Sequence, residues 1–393
     1  MKYLLVLGTQ RSGKTLVSRA LNMHPNIIVQ MEPYFHFFKS CRNIFFRDVL
    51  KKTDFDPDYP MDSGFCKSYE EKYLLQESFT GISFNELDID ELIRMTIKQQ
   101  ESAKGQRAPG IIPLLDRLEA GTAPYVFKQL MGILHEAYFK EGVQLVGLSE
   151  GWCDEFMQSL LNIEGVDVKC VHCLRDPRAI VASRNVGGRI HVGKYPLLFI
   201  IRHWRKSIAY SLLHEEHPEY MAVQYENLVM KPELWFQEIC NFLEVPFSQK
   251  LLDPSTFVNG DGSLWKQNSA FNVSDHGGFS QSSIDRWKDV LSKEEIGVVE
   301  YLCKAEMEYL NLKRFNPEFS MKDLLCYREN EEEVIDWLRQ YNWTFNEKEL
   351  MLEIARIFLL ENSQISNAED LIDYFAIDKR VLGKLVIEHH DLQ

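Results

Sequence analysis

The stretch that most restricts the fold is "YLLVLGTQRSGKT", residues 3–15. Its apolar run ends at Gly8, which reads as a buried parallel strand running into a tight turn. "KTLVSRALNMH" follows, with Leu16, Val17, Ala20 and Leu21 at helical spacing and His24-Pro25 closing the helix, because a residue before proline avoids the helical region. "NIIVQME" is a second strand. Strand, glycine loop, helix, strand is the setting a phosphate-binding loop requires. Gly8, Gly13, Lys14 and Thr15 satisfy G-x-x-x-x-G-K-[ST], and the default expectation is an ATP or GTP site. Arg11 and Ser12 complicate it, since Arg11 adds a second cation to the cradle.

The remaining chain extends the alternation. "VQLVGLS" (143–149) and "VKCVHCLRD" (168–176) read as strands, "PRAIVASRN" opens a helix on proline, and a long helix is expected over about 196–215. "YMAVQYENL" reads as a strand and "PELWFQEICNFL" as a helix. Residues 259–283 form a long Gly-, Ser- and Asn-rich loop, and "SKEE" is a capping box opening a helix. The predicted fold class is α/β, a P-loop-type parallel sheet flanked by helices with a small helical C-terminal appendage. The predicted division is 1–320 for the α/β domain and 321–393 for the appendage. From Asp323 onward there are 16 Asp+Glu against 7 Lys+Arg, a net of −9 out of −14 for the chain. That acidic region is a candidate interaction or oligomerisation element.

Composition excludes several classes. A net charge of −14 argues against a general nucleic-acid binder. No run of 18 apolar residues predicts a membrane span, and "YLLVL" is too short for a signal-peptide core. Eight scattered cysteines form no framework and suit a reducing compartment; a cytoplasmic location is expected. Cys170 and Cys173 of "CVHC" lie three apart on a strand and point to opposite faces, so they read as core residues rather than a metal pair.

A nucleoside triphosphatase needs a carboxylate at a strand end to hold magnesium. Glu150 and Asp176 are the candidates, but Asp176 sits between Arg175 and Pro177 and reads as a helix cap. Arg175 lies at the carboxyl end of a strand, where open α/β sheets bind ligands. Ser183, eight residues on, can flank the same phosphate as Arg175.

"RSGKT" together with "RDPRAIVAS" resembles the sulfotransferase family that uses 3′-phosphoadenosine-5′-phosphosulfate (PAPS). "YENL" and "RWKDVLSKEE" extend the likeness, which runs in order over about residues 2–312. The branch most similar contains tyrosylprotein, carbohydrate and bacterial sulfotransferases. The resemblance implies that Arg11, Ser12, Gly13, Lys14 and Thr15 hold the 5′-phosphosulfate and that Arg175 and Ser183 hold the 3′-phosphate. It implies nucleotide contacts at Tyr225, closure over the donor by Ser269 or its neighbours and by Arg286, and a catalytic base at Glu32. His24 and His36 are rival bases. Arg178 or Arg184 is expected near the 3′-phosphate.

Two positions depart from the family pattern. Lys14 replaces the usual Thr or Ser, so it is either catalytic or a donor ligand. Glu150 stands where many relatives carry Lys, and Lys14 or Lys128 is available to compensate. The aromatic run "PYFHFF" (33–38) is either core or an acceptor wall. The implied reaction is sulfuryl transfer to a hydroxyl on a sugar, phenol or tyrosine, without a metal. The rivals are a Mg-ATP kinase or NTPase and a non-catalytic PAPS-binding relative.

Overall fold

In the computed structural model, residues 1–58, 69–183, 193–266, 278–340, 344–361 and 379–385 are described. Among the described residues seven strands form: β1 (Lys2–Leu7), β2 (Ile27–Met31), β3 (Ser83–Phe84), β4 (Gly121–Thr122), β5 (Leu145–Ser149), β6 (Val168–Leu174) and β7 (Tyr220–Gln224). Five of them make one sheet in the order β2-β5-β1-β6-β7. Every neighbour in it is parallel, with Val6 beside Ser149 and Leu7 beside His172 at the end of β1. β3 and β4 make a separate antiparallel ribbon.

The central strand is buried on both sides, and its residues alternate between two cores. Tyr3, Leu5 and Leu7 pack with Phe37, Phe127 and Phe156 from the helices on one face. Leu4 and Val6 pack with Leu16, Val17 and Phe236 on the other. Such two-sided burial requires an unbroken apolar strand and explains "YLLVL". Cys170 and Cys173 separate to these two faces, as strand alternation demands.

Helix Leu197–His214 is buried on nearly all sides. Its Leu197, Ile201, Trp204 and Ile208 share a third core with helix Lys293–Leu302 and with Leu324, Val334, Leu350, Ile354 and Val381 of the C-terminal region. Helix Glu347–Glu361 also docks through charge. Glu353 is fully buried, with Arg202 Nε at 2.7 Å and an Arg205 nitrogen at 2.5 Å. Burial acts to raise the Glu353 carboxyl, but Arg205 and Arg202 outweigh it and hold it below the usual range. The acidic tail is therefore joined to the α/β unit through an apolar core and a buried ion network.

One expected boundary moves. "YMAVQYENL" is a strand only to Gln224, and Tyr225–Met230 is helical. Tyr225 is thus the first residue beyond the sheet rather than a strand residue. The "NAEDLIDYF" helix and residues 267–277 of the long loop lie outside the described residues.

Glu353→Ala removes the buried carboxylate that faces Arg205, while Arg202 keeps its pair with Glu349. It is expected to cost about 3–5 kcal/mol in urea unfolding; a loss under about 1 kcal/mol contradicts the anchoring role.

Candidate active site

Because the five strands are parallel, their carboxyl ends share one edge, and each delivers its next residue there. In spatial order these are Glu32 after β2, Glu150 after β5, the Gly8–Gly13 loop after β1, Arg175 after β6 and Tyr225 after β7. Neighbouring strands lie about 4.8 Å apart, so Glu32 and Arg175 leave the sheet roughly 14 Å apart, on either side of the loop.

The loop is shaped by two glycines that no other residue can replace without strain. Gly8 (φ 134°) lies against the Cys173 carbonyl, and a Cβ on Gly13 (φ 98°) would run into the Tyr225 ring. Ser12 Oγ donates to Thr9 O at 2.8 Å and pins the loop internally. Helix Lys14–Asn22 starts at Gly13 with no side-chain cap, so its first N–H groups form an anion-binding terminus. Lys14 is buried, and its Nζ donates to Gly8 O at 2.7 Å. Arg11 occupies the left-handed region at φ 65°, and burial lowers its pKa.

Arg175 ties the loop to the far side of the site. Its guanidinium lies 4.2 Å over the Tyr225 ring and donates to Arg11 O and Ser283 O, both at 2.9 Å. Its Nε is buried without a partner. Tyr225 OH pairs with Ser283 Oγ at 2.7 Å. Ser183 is buried at the end of helix Pro177–Ala182, the helix that follows Arg175. Arg286 lies three residues beyond Ser283, on the segment that packs against Arg175. Ser269 and Arg184 fall outside the described residues.

Glu32 is held on the opposite side. It has φ 41°, its N–H donates to Ser149 O at 2.8 Å, and its carboxylate pairs with Arg107 at 2.6 Å. The side chain remains 36% exposed, within reach of an incoming acceptor. Glu150, next along the edge, is fully buried. Its Oε1 accepts from Tyr34 N at 2.7 Å, and its Oε2 has no partner. Burial, and then the nearby Glu32, push the Glu150 carboxyl well above the carboxylate range.

The structure narrows several open sequence readings here. Of Arg178 and Arg184, only Arg178 is described, and it is buried in ion pairs with Asp176 and Glu300 and stacks on Trp287. The carboxylate of Asp176 caps that helix and binds Arg178, which is why Arg178 is consumed. The acceptor wall at 33–38 is largely core, since Tyr34, Phe37 and Phe38 are fully buried and Phe37 stacks on Phe84. Lys128 cannot compensate for Glu150, because its Nζ donates to Glu164 O, on the segment leading into the start of β6. Of the rival bases, His24 is a strut: its Nδ1 accepts from Asn26 N and its Nε2 faces Pro246 O. His36 is drawn down to about 4, chiefly by burial and then by Lys39 and Arg107, so it is neutral at pH 7.

Residues 156–311 match the family described as the sulfotransferase domain. That part of the chain is similar to the sulfotransferase domain. Among its relatives is the Mus musculus protein named carbohydrate sulfotransferase 5. The two are 22% identical over 353 residues, spanning 82% of this chain and 83% of that protein. The Homo sapiens protein named carbohydrate sulfotransferase 3 is 22% identical over 358 residues, spanning 79% of this chain and 67% of its own. Solved structures that overlap with it include the sulfotransferase domain from the curacin biosynthetic pathway. That domain is 18% identical with a TM-score of 0.43, covering 79% of this chain and 98% of that one. The sulfotransferase domain of the Synechococcus PCC 7002 olefin synthase is 17% identical with a TM-score of 0.40, covering 75% and 89%.

The family match includes Arg175 and Ser183, whereas the glycine loop and Glu32 lie ahead of it. In this protein those separate parts are joined by the sheet edge. Sequence reading missed Gln100, Arg107, Trp152 and Tyr195. Trp152 (φ 67°) stands edge-on to His203 with ring centroids 3.5 Å apart, and Tyr195 OH accepts from Gln10 at 3.5 Å. "SEGW" after β5 held a usable signal, because a Gly-Trp at the carboxyl end of a buried strand is placed at the ligand edge. Arg107 sat in "KGQRAPG", which reads only as a helix interruption. No helix among the described residues is long and apolar enough to cross a membrane.

Gly13→Ala sets a Cβ against the Tyr225 ring and forces the loop open. It is expected to weaken binding of adenosine 3′,5′-bisphosphate at least tenfold by calorimetry, while the same change at exposed Gly81 leaves it intact.

Proposed function

We propose that the protein transfers the sulfuryl group of PAPS to a hydroxyl of a carbohydrate acceptor, with Glu32 as the base and Arg175 as the anchor of the donor's 3′-phosphate. The observation that carries this reading is the order along the sheet edge. A buried arginine and a half-exposed carboxylate flank one glycine loop, spaced for a donor to lie across it and an acceptor to meet it.

The residues present fit such a donor. The glycine cradle leaves room where a Cβ would intrude, the helix start lacks a cap, and Arg175 Nε is buried without a partner. Gly13, Lys14 and Thr15 would hold the 5′ end with N–H groups and Lys14 Nζ. Arg175 and Ser183 would hold the 3′ end, with Tyr225 packed beneath Arg175 and Arg286 on the segment that packs against Arg175. The donor supplies the activated sulfuryl group. Glu32 takes the acceptor hydroxyl's proton, and Arg11 and Lys14 offset the negative charge that gathers at the loop. Binding far from the reacting atoms fixes their position, so remote contacts at Arg175 support the rate.

The Mg-ATP alternative asks for a free carboxylate at a strand end. Asp176 is bonded to Arg178, and Glu150 is buried with a raised pKa, so neither side chain is disposed to hold a hydrated cation. A carbohydrate acceptor is preferred because the relatives named above carry that name. The seven described cysteines are free thiols, six of them buried, which supports a reducing, cytoplasmic setting.

Adenosine 3′,5′-bisphosphate at 100 times its dissociation constant is expected to stabilise the fold by about 2.7 kcal/mol, seen as a raised Tm. Stabilisation by Mg-ATP alone contradicts the proposal. Glu32→Gln is expected to keep that Tm shift and lose transfer to a saccharide panel by at least about 100-fold.

A further inference from the structure

The backbone at Glu32 is strained, and the strain has an identifiable restraint. A non-glycine residue at φ 41° is strained and persists only where its surroundings hold it there. Three groups hold this turn. The Glu32 N–H is bonded to Ser149 O at 2.8 Å. The Tyr34 N–H is bonded to Glu150 Oε1 at 2.7 Å. The third group comes from helix Glu86–Ser102, which belongs to neither strand and whose Gln100 is fully buried.

Gln100 uses both ends of its amide. Its Nε2 donates to Glu32 O at 2.9 Å and to Pro33 O at 3.3 Å. Its Oε1 accepts from Ala108 N at 2.7 Å. Ala108 follows Arg107, whose guanidinium pairs with the Glu32 carboxylate at 2.6 Å. One buried side chain therefore fixes the backbone of the carboxylate and the backbone of its cationic partner. No other amide orientation serves both, since the two carbonyls need a donor and the N–H needs an acceptor.

We infer that Gln100 is a positioning residue for the transfer reaction, a bracket that sets the Glu32–Arg107 pair at the sheet edge. The inference rests on the reading of Glu32 as the base. Gln100 touches neither the glycine loop nor Arg175, so donor binding does not depend on it. Glu150 serves the same turn from the other side through the Tyr34 N–H. Replacing Gln100 with an apolar residue leaves two buried carbonyls and one N–H without partners, and the turn is then free to relax from φ 41°. A shift of about 1 Å at a base costs about 100-fold in rate.

The test compares Gln100→Leu, Gln100→Glu and Glu32→Gln with the wild type. The probes are adenosine 3′,5′-bisphosphate for binding, and PAPS with whichever saccharide the wild type sulfates for turnover. A crystal structure of Gln100→Leu is the readout that needs no acceptor. The bracket predicts kcat reduced about 100-fold in Gln100→Leu with the bisphosphate affinity within about twofold of wild type, and the Glu32–Arg107 contact opened beyond 4 Å. Gln100→Glu keeps the acceptor for Ala108 N but sets a carboxylate against two carbonyls, so its kcat loss is expected to shrink as the pH falls and the acid regains a donor. It also serves as the second variant if the leucine does not fold. Wild-type kcat and an intact 2.6 Å pair in Gln100→Leu, with Glu32→Gln inactive, overturn the bracket alone. Equal losses of bisphosphate affinity and turnover also overturn it, as a general packing role. Full turnover in Glu32→Gln overturns the base assignment and the bracket with it.

Discussion

The site depends on the parallel pairing of β1 with β5 on one side and β6 on the other. Parallel register brings the carboxyl ends of neighbouring strands level, with Val6 beside Ser149 and Leu7 beside His172. The residues that leave those ends are consequently set side by side. The glycine loop, Glu32, Glu150, Arg175 and Tyr225 come from widely spaced stretches of sequence, and the sheet alone makes them neighbours. The apolar faces that bury β1 on both sides thus hold the chemistry in place.

Charge is sorted along that edge. The Arg175 side carries a guanidinium over an aromatic ring, tied to the loop through Arg11 O. The Glu32 side carries two carboxyl groups, and these are made different by environment. Glu32 is half-exposed and paired with Arg107, whereas Glu150 is buried and pushed toward its neutral form. Neighbouring carboxyls with divergent surroundings take divergent roles. Glu150 holds a backbone N–H, which leaves Glu32 as the group open to an acceptor. Lys14 is buried at the loop and placed near Gly151.

Much of this was legible in the sequence. "YLLVLG" fixed the central strand, since only two-sided burial needs five consecutive apolar residues. Arg175 and Ser183 pointed the loop away from a triphosphate only through the family resemblance they carry. Arg178's pairing was not legible because Glu300, its partner, is 122 residues away, and no local pattern announces such a pair. Phe37 and Phe38 were open to two readings because an aromatic run has the same appearance in a core and in a wall. Gln100 and Arg107 were invisible, since a lone Gln in a helix and a lone Arg in a loop carry no period or motif. Their roles arise from a strained turn, and strain is a property of the fold.

The central claim is that Arg175 recognises the group that distinguishes this donor from other nucleotides. A thermodynamic cycle tests it most directly. Calorimetry would compare adenosine 3′,5′-bisphosphate with adenosine 5′-monophosphate, on the wild type and on Arg175→Ala. The account predicts that the wild type prefers the bisphosphate by about 1.5–3 kcal/mol, the worth of a hydrogen bond to a charged group, and that the preference collapses in Arg175→Ala. Equal weakening of both ligands in the variant, with the preference intact, would contradict it.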